Sequence, residues 1–288
     1  MTQASRLGTL LRRDGMVVAP GAYDCITARL IEQAGFAAVY MTGAGTAASL
    51  GYPDFGLLTM SEMVASARRI AGAVEVPVVA DADTGYGNEL NVFRTVREFE
   101  RSGVSGIHIE DQEFPKKCGH LEGKQVIPRE DYIAKIRAAA AARRDQDFMI
   151  IARTDSRAVA GLDEAIARAN AALAAGADMA FVEAPQTLEE VAAVPRLVHG
   201  PCLLNVVRGG KTPDLDLGDA ERMGYKLAIL PGLLIKNVVG ICERMLAELA
   251  TTRRHPAPVR EMTVREVFQL SGADEWDSLR TRFRTEVS

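Results

Sequence analysis

A chain of 288 residues, 48% hydrophobic and 25% charged, can bury a large core, and its formal net charge of −4 gives it no general attraction for nucleic-acid phosphates. No apolar run approaches the ~18 residues that span a bilayer, and Met1–Leu7 lacks the basic-then-apolar order of a signal segment. Nucleic acid and membrane are therefore not expected as partners, a cytoplasmic location is, and four cysteines at 25, 118, 202 and 242 with no CxxC pair fit a reducing compartment.

Short apolar runs alternate with helical patterns along the chain. The runs cover 16–19, 37–41, 76–80, 106–109, 148–152, 179–182, 202–206 and 227–230. Helices are expected at about 26–33, 60–73, 89–101, 129–143, 162–175, 188–194, 219–223 and 233–249. Gly35, Gly103, Gly176 and Gly224 each stand just past a helix and shortly before a strand, where a left-handed closing residue is needed. Eight strand–helix units predict a (β/α)8 barrel over residues 1–252, with an open doubly wound sheet as the competing fold. Residues 253–288 carry a further helical pattern at Met262–Leu270 and form a C-terminal extension.

In such a barrel the active site stands at the C-terminal ends of the strands. There the runs turn polar: Tyr40-Met-Thr-Gly-Ala44, Asp81-Ala-Asp-Thr-Gly85, Glu110-Asp111, Arg153-Thr-Asp155, Glu183 and Asn205. Buried charges need a common counter-charge. Asp81 and Asp83, two apart on one strand and so facing the same way, form with Glu110 an oxygen-rich cluster that suits Mg²⁺, with Mn²⁺ as the alternative. Arg153 can fork onto a substrate carboxylate or pair with Glu183, and both roles are compatible. Gly43–Ala48 matches a dinucleotide loop only weakly, since Gly51-Tyr-Pro53 interrupts the helix that should follow; its N–H groups could hold a small keto or hydroxy acid instead. Lys211 lies outside any phosphate-loop spacing, and His108 reads as a core residue.

The longest connection begins at Asp111 and lasts until Pro128-Arg-Glu130, the length of a lid or binding loop. It carries Cys118 directly after Lys116 and Lys117 and two residues before His120, neighbours expected to favour the thiolate.

These motifs, with Pro20-Gly-Ala-Tyr-Asp24, Gly51-Tyr-Pro-Asp-Phe-Gly56, Ile109-Glu-Asp-Gln112, Lys116-Lys-Cys-Gly-His120 and Ile151-Ala-Arg-Thr-Asp155, resemble the isocitrate lyase and phosphoenolpyruvate mutase superfamily. The segment around Cys118 is similar to that of its carbon–carbon lyases. The resemblance implies a Mg²⁺ barrel with Asp81, Asp83 and Glu110 about the metal and Asp54 supporting its water shell. It further implies that Tyr40, Thr42, Gly43, Ala44, Lys117, Gly119, Glu183 and Asn205 surround the substrate, and that Cys118, His120 and Arg153 are catalytic. A helix exchanged between partners, giving dimers paired into homotetramers, is also implied.

At the seventh strand, Asn205-Val-Val-Arg-Gly-Gly-Lys-Thr-Pro213 departs from the Asn-Ile-Thr-Glu type of methylisocitrate lyases and looks more like the dimethylmalate lyase and oxaloacetate hydrolase branch. The expected reaction is a retro-aldol-type cleavage of a 2,3-dimethylmalate or 2-methylmalate type of acid, with Cys118 returning a proton to the carbanion. Methylisocitrate cleavage, oxaloacetate hydrolysis and phosphonate mutase chemistry are the alternatives, and a barrel that only binds a dicarboxylate is the non-enzymatic one.

Overall fold

Eight short parallel strands pair in sequence order and the last closes on the first. The computed structural model describes residues 2–285. In chain order its elements are α1 (Gln3–Leu11), β1 (Val17–Ala22), α2 (Cys25–Gln33), β2 (Val39–Met41), α3 (Gly43–Ser49), α4 (Met60–Ala71), β3 (Val78–Asp81) and α5 (Glu89–Ser102). There follow β4 (Gly106–Glu110), α6 (Arg129–Ala142), β5 (Met149–Thr154), α7 (Arg157–Ala160), α8 (Leu162–Ala174), β6 (Met179–Val182) and α9 (Leu188–Leu197). The chain continues through β7 (Cys202–Asn205), α10 (Leu217–Met223), β8 (Leu227–Leu230), α11 (Leu233–Thr252), α12 (Val264–Gln269) and α13 (Ala273–Thr285). The eight strand–helix units of the sequence are all present, and the open-sheet alternative is ruled out by the β1–β8 pairing.

Local chemistry explains the joints. Gly35, Gly103, Gly176 and Gly224 all adopt positive φ, between 86° and 107°. Side chains close the helix starts: Asp24 with Thr27, Thr59 with Glu62 and Asn88 with Asn91 form reciprocal caps. Four helices went unread in the sequence. α1 buries only Ala4 and Leu7, too few for a periodic signal. α3, rich in glycine and alanine, is begun by the Thr42 side chain, which accepts the Gly45 N–H. The single-turn α7 and the strongly polar α13 likewise lack an apolar stripe.

Side chains alternate across each strand, so every second residue faces the barrel axis. Val79, Ile151, Met179, Phe181, Leu203, Leu227 and Ile229 fill the interior, while Val78, Ala80, Ile107, Ile109, Ile150 and Ala152 belong to the core beneath the helices. Continuing the inward series toward the C-terminal ends gives Tyr40, Asp81, Glu110, Arg153, Glu183 and Asn205, all buried. One rule of strand geometry thus stacks a polar ring on an apolar floor.

The chain divides into two compact units between Ile235 and Lys236, inside α11 rather than at residue 253, where the extension was expected to begin. The second unit comprises most of α11 with α12 and α13, and it exposes Val238, Val239, Leu246, Phe268 and Trp276. Among the described residues no helix is long and apolar enough to cross a membrane.

The seam between β1 and β8 leaves no room at Gly21, where a Cβ would stand 2.6 Å from the Pro231 carbonyl oxygen and 2.7 Å from its Cα. Backbone cannot step aside as a side chain can. Gly21→Ala is therefore predicted to destabilise the protein by about 1–3 kcal/mol, read as a lower urea midpoint with unchanged slope.

Candidate active site

The ring is held together by shared charges. Arg153 donates from Nε to Asp155 Oδ2 (2.9 Å) and from Nη2 to Asp155 Oδ1 (3.2 Å), and its Nη1 stands 3.2 Å from Glu110 Oε2. Glu183 Oε2 is farther from Nε, at 3.9 Å. The foreseen pairing of Arg153 with Glu183 is present at that longer distance, while the fork itself goes to Asp155, just past the end of β5. Burial opposes ionisation of Glu183, yet Arg153 and His120 outweigh it and hold the carboxyl well below its ordinary range. Its two oxygens also accept from Asn205 Nδ2, each at 3.2 Å.

Asp81 and Asp83 do not sit side by side on a strand as expected. β3 ends at Asp81, and Asp83 takes a positive φ of 48°, so the chain has already turned. The Asp83 N–H donates to Asp81 Oδ1 (2.9 Å), while its carboxylate faces Lys116 Nζ at 2.6 Å. Lys116 is buried and also pairs with Asp54. Its burial would favour the neutral amine, but the surrounding acids raise its pKa well above the lysine value. In the sequence Lys116 reads only as a neighbour of Cys118; its place among the acids comes from tertiary approach.

Tyr40 and His108 stand under Asp81. Tyr40 Oη lies 2.8 Å from His108 Nε2 and 3.4 Å from Asp81 Oδ2, and the two rings stack with centroids 5.7 Å apart. Burial pushes His108 down to about 4, so the imidazole is neutral and shares one hydrogen bond with the tyrosine oxygen, which also reaches Asp81. His108 is a core residue, as expected, and also the one that orients Tyr40. Gly43 completes this corner, since a Cβ there would overlap the Asp81 carboxylate.

Over the ring lies the long loop. Gly119 has no space for a side chain: a Cβ would meet Arg153 Nη2 at 2.5 Å and Glu183 Cγ at 2.6 Å. The Cys118 N–H donates to the Asp54 carbonyl (3.2 Å). His120 accepts the Lys211 N–H at Nδ1 (3.0 Å), so its proton is on Nε2, which points at Glu183 Oε1 3.0 Å away. Lys211 also reaches Glu122 with Nζ, at 2.7 Å, so the segment after β7 seals the loop from the side.

The structure thus gathers Tyr40, Asp54, Asp81, Asp83, Glu110, Cys118, Gly119, His120, Arg153, Glu183 and Asn205, with Gly43 and Ala44 opening α3 beside them. Lys117 is exposed and stands outside the ring, and the Thr42 hydroxyl accepts the Gly45 N–H at the start of α3. The lysines do not favour a Cys118 thiolate: burial pushes the thiol up, with the His120 N–H only partly opposing it, because Lys116 is taken by the acids.

Among the described residues no three acids converge into a ready-made metal cage. Mg²⁺ does not need one, since it keeps several waters and takes one or two carboxylates. Glu110 Oε1 is fully buried without a hydrogen-bond partner, and burial raises its pKa far above the carboxylate range despite Arg153. An orphaned hard oxygen beside ionised Asp81 fits such a cation.

The phosphoenolpyruvate phosphomutase family model matches residues 7–250. The 2,3-dimethylmalate lyase of Eubacterium barkeri is 51% identical over 232 residues, 80% of each chain. The structure of oxaloacetate acetylhydrolase with 3,3-difluorooxalacetate superposes with a TM-score of 0.94 at 37% identity, over 97% of this chain and 96% of that one. That of phosphonopyruvate hydrolase with oxalate and Mg²⁺ gives 0.89 at 31%, over 98% and 99%. The chain belongs to the phosphoenolpyruvate mutase/isocitrate lyase superfamily. Within it, the chain stands with the lyases.

If burial rather than the lysines governs Cys118, its alkylation by iodoacetamide should rise with pH to a midpoint above that of an ordinary thiol, with Cys118→Ser giving the background from the other cysteines. A midpoint below the ordinary value would restore the thiolate.

Proposed function

We propose that this lyase cleaves the C2–C3 bond of a substituted 2-hydroxy dicarboxylate of the 2,3-dimethylmalate or 2-methylmalate type, giving a 2-oxo acid and a carboxylate. The observation that carries the reading is a thiol on a loop seated against the charged ring, Cys118 beside Gly119 on Arg153 and Glu183, with burial favouring its protonated form. The 51% identical dimethylmalate lyase supports it.

Asp81, Asp83 and Glu110 would hold Mg²⁺, or Mn²⁺, which when bound supplies Lewis-acid stabilisation of the 2-oxygen and its neighbouring carboxylate. Arg153 is a preorganised donor toward the substrate's negative charge, fixed by Asp155, while His120, fixed by the Lys211 N–H, turns its Nε2–H to Glu183 and orients that carboxylate. Asn205 Oδ1, buried with no partner, is an acceptor available to the substrate. As the C2–C3 bond breaks, its electron pair passes to C3; the 2-hydroxyl proton passes to water as the substrate binds, leaving a carbonyl at C2, and Cys118 delivers a proton to C3 and regains one from water as the products leave. A thiol with a raised pKa is suited to hold that proton until then. The loop excludes water that would otherwise quench the carbanion.

Small malates fit the segment after β7. Gly210 has its Cα so close to His120 that a Cβ would stand 2.6 Å from Nδ1, which leaves little room on that side for a larger acid. The oxaloacetate acetylhydrolase likeness favours a second reading, in which water attacks oxaloacetate. Assay with Mg²⁺ on 2,3-dimethylmalate, 2-methylmalate, methylisocitrate and oxaloacetate separates these: pyruvate or propionate from the first two supports the lyase, and oxalate with acetate from oxaloacetate alone replaces it.

Cys118→Ser should lower kcat by about 10²-fold or more with Mg²⁺ affinity retained; undiminished turnover would remove the proton-donor role. Burial, with Asp81 and Asp54, pushes Asp83 up to about 6 against the pull of Lys116. A cation must displace that proton, so Mg²⁺ affinity should fall as pH drops below about 6, with proton release in calorimetry across buffers of different ionisation enthalpy. Affinity constant from pH 7 to 5 would contradict Asp83 as a metal-site residue.

A further inference from the structure

The loop that carries Cys118 is anchored at two levels. At its base, Gln112 pairs with Val126 in an antiparallel bridge, with Glu113 N–H to the Gln125 carbonyl and Ile127 N–H to the Asp111 carbonyl, each 2.9 Å. Higher up, two buried side chains reach back to the main chain on either side of Cys118. The Gln112 amide meets the Lys117 backbone as a strand would, donating from Nε2 to its carbonyl (2.8 Å) and accepting its N–H at Oε1 (3.1 Å). Lys124 Nζ donates to the Gly119 carbonyl (2.5 Å) and to Asp155 Oδ1 (2.7 Å).

Neither side chain is required to satisfy a helix or strand: Gln112 spends its amide on Lys117, and Lys124 its ammonium on Gly119 and Asp155. A glutamine matched to one peptide unit recognises position rather than sequence, because both of its groups must align together. Burying an ammonium is unfavourable without a fixed partner; Lys124 has one in Asp155, and from that anchored position it also holds the Gly119 carbonyl. Asp155 is also the acid that Arg153 grips, so Lys124 ties the loop backbone to the arginine of the ring.

We propose that Gln112 and Lys124 are positioning residues that clasp the Lys117 and Gly119 backbones and so set where the Cys118 thiol stands relative to Arg153. The functional consequence rests on the proton-donor reading of Cys118; the geometric one does not.

The test uses the full-length protein with Gln112→Ala, Lys124→Met and Lys124→Arg. Iodoacetamide alkylation of Cys118 at fixed pH, followed by mass spectrometry of the 112–126 peptide, reports the clasp without any substrate. Loss of the hydrogen bonds to the charged lysine or to the matched amide should speed alkylation about tenfold in Gln112→Ala and Lys124→Met, and Lys124→Arg should restore protection. With 2,3-dimethylmalate, kcat should fall about tenfold while KM changes much less, a split that general loss of folded protein does not produce. Alkylation at the wild-type rate in Gln112→Ala and Lys124→Met overturns the clasp. If Lys124→Met fails to fold, Gln112→Ala decides alone, since that side chain's hydrogen bonds all go to Lys117. Faster alkylation in a protein whose wild type turns over none of the malates upholds the clasp and overturns the lyase reading.

Discussion

Everything at the mouth of this barrel depends on how few cations share so many buried carboxylates. Arg153 stands among Asp155, Glu110 and Glu183, and Lys116 between Asp54 and Asp83. Removing either would leave buried anions without their counter-charge, which is far more unfavourable than losing an exposed pair. The same shortage leaves Glu110 Oε1 without a partner and gives the proposed dication its place. Charge balance, more than shape, therefore defines the site.

The balance also determines how the loop behaves chemically. A basic pair before a cysteine invites the inference of an activated thiolate, but here one lysine is drawn into the acids and the other remains exposed. Cys118 is left with burial as the dominant influence, which keeps its proton on. An acid catalyst needs that state, whereas a nucleophile would not.

Much of this was legible in the residues. Apolar runs ending in Asp81, Glu110, Arg153 and Glu183 revealed both the barrel and the ring, because strand geometry alone decides that those side chains face inward. Asp83 was misplaced for the opposite reason: its direction depends on a left-handed residue beyond the strand, which alternation cannot report. Lys116, His108 and Lys124 acquire their meaning from partners 62, 68 and 31 residues away, and such pairings are set by tertiary approach, not by local spacing. The α3 helix was missed because a glycine–alanine segment has no apolar stripe to betray it.

The alternation that builds the ring has a further consequence. Within a strand, an inserted or deleted residue would turn every later side chain from axis to helix layer, emptying the floor and dismantling the mouth together. The segment after β7 is under no such rule: it meets His120 through a backbone N–H, which any sequence able to hold that path can offer. Divergence in what this scaffold accepts can accumulate in the connecting segments while the eight-strand frame stays invariant.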